Sequence, residues 1–178
     1  MKLALADHMS DAGLEKWIAA LGVVSAPVPR ANVREALSFF QSYIARLDPA
    51  MALNFLRATD VSKRVRRVLL QPNERLIAFR SGAETQFKLF FTRAGQSKHS
   101  SGVNPEGREA AHFTVRTPVM ALESYAAPAI DTWTRLAPGQ RSTVAPRANS
   151  AGYMASGGGL QLIVPESYGH LLVKSHGP

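Results

Sequence analysis

The stretch Val68-Leu69-Leu70-Gln71-Pro72-Asn73-Glu74-Arg75-Leu76-Ile77-Ala78-Phe79-Arg80 is where the chain changes texture. Two apolar runs, each too short for a stable helix, flank a Gln-Pro-Asn-Glu turn, which predicts two strands joined by that turn. Downstream the periods stay short. Phe87-Lys88-Leu89-Phe90-Phe91-Thr92 reads as the next strand, Gly95 to Gly107 as a polar loop, and His112-Phe113-Thr114-Val115-Arg116 alternates as a half-exposed strand should. Pro118 to Tyr125 reads as a helical turn or an irregular connector. Gly139 to Ser156 lacks a strong apolar period, and a stretch of that kind is more often functional than idle. Gly157-Gly158-Gly159-Leu160-Gln161-Leu162-Ile163-Val164-Pro165 closes the sheet with a strand that opens at a glycine triplet.

Upstream of Val68 the period is helical. Ser10 is a candidate N-cap for a helix carrying Leu14, Trp17, Ile18 and Leu21, and Ala26-Pro27-Val28-Pro29 breaks it. From Asn32 a second helix runs through Val33, Leu37, Phe40, Ile44 and Leu47, with Asp48-Pro49 expected to stop it. A third is expected across Met51, Leu53, Phe55 and Leu56. The expected organisation is therefore a helical segment at 1–67 and a β-rich region at 68–178, together one α+β domain. A chain of 178 residues is long enough to bury a real core.

Composition narrows the function classes. The chain has no cysteine, which excludes disulfides, thiolate metal sites and cysteine nucleophiles. No run of eighteen apolar residues occurs, so no membrane-spanning helix and no stable membrane insertion are expected. Asp7 and His8 interrupt the first apolar run, so no signal peptide is expected either. The net charge of +8 suits nucleic acid, an anionic dinucleotide or an acidic binding protein, and charge alone does not separate them. The densest cluster, Lys63-Arg64-Val65-Arg66-Arg67, reads as a solvated turn or helix end. There is no P-loop, no Rossmann fingerprint, no His-Glu-x-x-His pair and no Gly-x-Ser-x-Gly elbow, and no metal is expected.

Four features make sense together around a dinucleotide. In Phe79-Arg80-Ser81-Gly82 an arginine ends an apolar strand, where it is either a paired donor to pyrophosphate oxygens or an ordinary edge arginine. In Phe90-Phe91-Thr92-Arg93-Ala94-Gly95 the two rings must face opposite sides of a strand, so one could flank a planar ligand while core packing of both is the alternative. In Ala129-Ile130-Asp131-Thr132-Trp133 a carboxylate sits among apolar neighbours, either acting on a developing cation or capping a helix. The glycine triplet before Gln161 fits a backbone that bends sharply or approaches a ligand, with Gln161 projecting into the adjoining cleft.

The tract from about Leu56 to Val173 resembles the C-terminal toxin domains of type VI secretion effectors and other polymorphic toxins that act as NAD(P)+ glycohydrolases. The residues carrying the resemblance are Phe79-Arg80, Phe91-Thr92-Arg93-Ala94-Gly95, Ala127-Pro128-Ala129-Ile130-Asp131-Thr132-Trp133, Val144-Ala145-Pro146 and Gly157-Gly158-Gly159-Leu160-Gln161. The last two are similar to the Ala-Pro and Gly-Gly-Gly-x-Gln pair of the tuberculosis necrotizing toxin family. The resemblance implies N-terminal helices packed on a compact mixed or antiparallel split sheet of ADP-ribosyltransferase-toxin type, with NAD+ or NADP+ as substrate in a cleft between half-sheets and no prosthetic group. It implies Gln161 and Asp131 at the cationic centre, Arg80 on the phosphates and Phe91 against nicotinamide. Tyr125 and Trp133 are further stacking candidates, with Phe79, Ser81, Thr92, Gly158 and Gly159 also against the dinucleotide. The Glu-x-Glu of arginine-modifying transferases is absent, which favours water as acceptor. Implied partners are a cognate immunity protein and a host or effector-loading protein, with delivery into the cytoplasm of a target bacterium and no nucleic acid. Three other readings stay open: a transferase that labels a macromolecule, a ribonuclease using Lys98, His99 and His112, and a pure binding module that binds ligand without turnover.

Overall fold

Three helices form where apolar residues recur every three to four positions, and a polar side chain caps the start of the first and the third. In α1 (Asp11–Leu21) the Ser10 hydroxyl accepts the Gly13 N–H at 3.1 Å, and Leu14 and Trp17 are fully buried. In α2 (Arg30–Tyr43) Val33, Ala36, Leu37 and Phe40 form one buried stripe. Asp48 does not merely stop that helix, which already ends at Tyr43; its carboxylate accepts the Met51 N–H at 2.7 Å and starts α3 (Pro49–Arg57), with Pro49 in the first turn. The computed structural model describes residues 3–22, 26–81, 89–103, 108–131 and 153–175, without the side chains of Ser81, Ile130, Asp131 and Tyr153.

The strands that follow are β1 (Arg66–Leu70), β2 (Arg75–Ser81), β3 (Phe90–Phe91), β4 (Arg108–Val115), β5 (Val119–Tyr125), β6 (Ala129–Asp131), β7 (Tyr153–Ala155), β8 (Leu160–Ile163) and β9 (Leu172–Ser175). They build a four-stranded sheet in the order β1-β5-β8-β3, a three-stranded sheet β2-β4-β9 and a β6-β7 pair, and every pairing among the described residues is antiparallel. Val119–Tyr125, expected as a turn or connector, is an interior strand of the four-stranded sheet. It is buried on both faces, so it carries no period-two alternation to read.

Side-chain alternation divides the four-stranded sheet into two packed faces. Leu122 and Ile163 join Leu14, Trp17, Val33, Leu37, Phe40 and Leu56 in a core beneath the helices. On the other face Ala121, Leu162 and Phe91 meet Leu76, Ala78, Phe113 and Val115 of the three-stranded sheet. The helical and β-rich segments thus share one core, and the fold is α+β.

Candidate active site

The two sheets touch through a backbone bridge between Ile77 and Thr92. Beyond it β2 and β3 separate, and the gap is a cleft of about 160 Å³ lined by Ile77, Phe79, Phe90, Phe91, Thr92, Ser101, Val103, Arg108, Leu160 and Gln161. That is below the roughly 300–1,000 Å³ of sites for whole drug-sized ligands, so these residues fit one ring-sized end of a larger molecule.

Gln161 is 6% exposed and sits on the same face as Ile163, whose cross-strand partner is Phe90. Its amide nitrogen donates to the Ala58 carbonyl at 3.2 Å and to the Ser124 hydroxyl at 3.3 Å. The Ala58 carbonyl can only accept, so the nitrogen must face it. Both N–H groups are thereby engaged, and the amide oxygen is the atom left to the cleft. The site presents an acceptor from this residue, suited to a ribose hydroxyl or a developing cation.

Both adjacent rings line the cleft, from opposite faces of β3. Phe91 is 3% exposed and packs edge-to-face on Phe113 in the inter-sheet core, 5.4 Å between centroids. Phe90 is half-buried on the Gln161 face, backed by Phe55 at 6.1 Å. The register of β3 against β8 places Phe90 on the Gln161 face, while Phe91 lines the cleft from the inter-sheet core. Phe79 lines the cleft from β2.

Arg80 follows Phe79 and therefore points the other way, with its guanidinium 5.7 Å above the Phe113 ring. The arginine on the cleft face is Arg108, opposite Ser81 in the β2–β4 register. Its backbone carbonyl accepts from the Lys98 ammonium. Sequence reading missed Arg108 because it opens β4 four residues before the alternation of His112 to Arg116 begins.

Thr92 is buried, and its hydroxyl donates to the Leu160 carbonyl at 2.8 Å, so its first role is to tie β3 to β8. Tyr125 is the cross-strand partner of Leu160 but is not among the residues that line the cleft, and its ring lies 5.4 Å from the Lys63 ammonium. The glycine triplet serves a close approach of chain to chain. The Gly159 N–H donates to Ser100 O at 2.8 Å and the Gly158 N–H to Ala126 O at 2.8 Å. A Cβ on Gly159 would lie 2.7 Å from Ser100 O. The triplet docks the loop that carries Ser101 and Val103 to the cleft wall. Asp131 is placed only by its backbone, paired with Tyr153 in β6-β7. The side chains of Asp131 and Ser81, together with all of Trp133 and Val144-Ala145-Pro146, lie outside the described residues.

Beneath the cleft, Glu123 binds Arg66 at 2.6 Å and Arg93 at 2.9 Å. Burial pushes the Glu123 carboxyl up, but the hydrogen bonds from Arg93 and Arg66 and their charges outweigh it and hold it below the usual carboxylate range. Burial pulls Arg93 down, yet its bonds and attraction to Glu123 and Glu74 leave it raised. This is a structural network that fastens β1 and β5 to the segment that follows β3 and to the turn before β2.

A larger cavity of about 370 Å³ lies between the ends of α1 and α3 and residues 127–128. Its polar lining is engaged internally: Thr59 donates to Phe55 O, and Asp60 holds both Ser62 and Lys63. Among the described residues no group of three His, Asp or Glu side chains could hold a metal. No helix among them is long and apolar enough to cross a membrane.

No protein-family model matches this chain, and no curated protein matches it. Solved structures do. The class that this chain's own elements define is an α+β fold with helices packed on antiparallel sheets. Within it, a chain from the structure of Tse6 in complex with Tsi6 superposes with a TM-score of 0.61 at 23% identity, covering 83% of this chain and 96% of that one. A chain from the structure of Rhs1-CT in complex with its cognate immunity protein RhsI1 matches at a TM-score of 0.39 and 18% identity over 67% of this chain and 84% of that one. The first shows a shared fold; the second is too distant to carry an argument.

Proposed function

We propose that this chain is an antibacterial toxin domain that hydrolyses NAD(P)+ to nicotinamide and ADP-ribose or its phosphate. The observation that carries the reading is the Gln161 amide, whose oxygen is left to an aromatic-walled cleft. As the nicotinamide–ribose bond breaks, positive charge builds on the ribose, and an acceptor oxygen fixed beside it stabilises the transition state more than the ground state. Phe79 and Phe90 offer faces for the departing ring, and Arg108 a cation for phosphate oxygens. Asp131 is a second negative group in this proposal, on the strength of the motif alone.

The motif resemblance and the fold shared with a chain of the Tse6–Tsi6 complex support the reading from two sides. That the neighbour was solved as a complex supports a cognate immunity protein as partner here, and the +8 charge suits an acidic one. An ADP-ribosyltransferase-type ancestry of the sheet and delivery into a target cytoplasm belong to the same proposal. The ribonuclease reading finds less support, since His99 and His112 do not line the cleft and the Lys98 ammonium is directed to the Arg108 carbonyl.

The test is incubation of the purified protein with NAD+ and with NADP+, following free nicotinamide, with Gln161→Ala as control. Release without a protein acceptor, lost in a folded Gln161→Ala, is the expected result. No loss of either dinucleotide from folded protein overturns the proposal.

A further inference from the structure

Ser124 is fully buried and stands directly opposite Gln161 in the β5–β8 register. It has no part in the chemistry above, yet its hydroxyl oxygen and the Ala58 carbonyl receive the two N–H groups of the Gln161 amide. The two acceptors come from different elements, β5 and the residue that follows α3, so they hold the amide from two directions. The Ala58 carbonyl is itself fixed, because it also accepts the Ala127 N–H at 3.1 Å. The last torsion of a glutamine side chain is broad and roughly two-fold, so nothing intrinsic to Gln161 decides which end of the amide faces outward.

We infer that Ser124 is a positioning residue that holds the plane of the Gln161 amide once the Ala58 carbonyl has selected its nitrogen end, a role that rests on the proposed use of the amide oxygen in NAD(P)+ hydrolysis. Turning the amide over would set its oxygen against the Ala58 carbonyl and lose that bond, whereas the Ser124 hydroxyl, which donates as well as accepts, holds the amide plane from the second direction. With Ser124 removed, one bond remains and the amide plane swings about it. A reacting oxygen that is misplaced part of the time lowers turnover while leaving ground-state binding nearly intact.

Two measurements on the same proteins test this. In Ser124→Ala the kcat for nicotinamide release falls by about tenfold with KM unchanged within about twofold, the size expected for one lost hydrogen bond expressed in the transition state. Ser124→Thr, which keeps the hydroxyl, restores it. Independently of any substrate, the Gln161 side-chain amide signals, assigned by their absence in Gln161→Ala, show slow hydrogen exchange in the native chain and fast exchange in Ser124→Ala. If the alanine variant does not fold, Ser124→Cys keeps the volume and exchanges the oxygen for a poor acceptor, in a chain with no other cysteine. Unchanged exchange in a folded variant overturns the positioning role whatever the substrate is. Native protein that releases no nicotinamide overturns the proposed function instead, and the exchange measurement still decides the orientation of Gln161.

Discussion

Ile77 and Thr92 exchange both of their backbone hydrogen bonds, N–H to O at 2.8 Å in each direction, and from that bridge the three-stranded and four-stranded sheets diverge. The cleft exists because the pairing between β2 and β3 stops there: Phe79 and Phe90, two residues from the bridge on their strands, pair with Ala110 and Ile163 rather than with each other, and both line the gap. Thr92 also holds the far side, through its hydroxyl on the Leu160 carbonyl next to Gln161. Thr92→Val keeps the shape and removes that buried bond. The expected loss is about 1 kcal/mol, seen as a drop of roughly 2–4 °C in melting temperature for a chain of this size, with turnover also reduced because β3 and β8 frame the site. Calorimetry and nicotinamide release on one preparation check both.

Gly159 and Gly95 give a paired test of what the glycine triplet is for. At Gly159 an added Cβ would sit 2.7 Å from both Ser100 O and Gln96 Oε1. Backbone cannot yield as a flexible side chain does, so Gly159→Ala is expected to cost about 1–3 kcal/mol and to displace the loop carrying Ser101 and Val103. Gly95 has open space around it but a φ of +91°, so Gly95→Ala costs only the left-handed strain of about 1–2 kcal/mol. Nicotinamide release separates them: activity falls in Gly159→Ala beyond what its stability explains, and Gly95→Ala keeps the native rate.

What the sequence made legible follows from which signals survive burial. The helices were readable because each has one wet face, and β2 and β8 because turn residues or glycines mark their ends. Strand β5 was not, since an interior strand packed on both faces offers no alternation, and with it went Ser124, one residue before the end of a strand that looked like a connector. The aromatic pair was readable as a pair, but which ring shares the face of Gln161 depends on the register against β8, a long-range property that local spacing does not encode. Gln161 was singled out by its motif; the atoms that orient it come from Ala58 and Ser124, 103 and 37 residues away in sequence.

Arg108 and Arg80 lie on opposite faces of the three-stranded sheet, and the difference is measurable. Arg108→Gln is expected to raise KM for NAD(P)+ by about tenfold with little change in melting temperature, as a lost charge-assisted contact to phosphate would. Arg80→Gln removes a cation above the Phe113 ring, and its main effect is expected on stability, about 1 kcal/mol. Steady-state kinetics beside thermal melts distinguish the two, and a KM effect confined to Arg80→Gln would return the phosphate role to that residue.

Glu123 sets the acid limit of the fold. Its carboxyl is held below the ordinary value of 4.5 by Arg93 and Arg66, against the opposing effect of burial. A carboxyl whose pKa is lower in the folded than in the unfolded chain adds stability that is fully present above the unfolded value and disappears as pH falls through the folded one. Stability of the native chain should therefore be flat in this respect above about pH 5 and decline below it. Glu123→Gln removes that part of the slope, because a neutral amide binds no proton in either state. It also leaves Arg66 and Arg93 without their shared counter-charge, so it is less stable than the native chain at neutral pH, by about 2 kcal/mol, between the values for exposed and buried pairs. Urea unfolding at a series of pH values from 3 to 7 checks both: the curves of the two proteins converge as the pH falls, and parallel curves would mean that Glu123 is not the group that titrates.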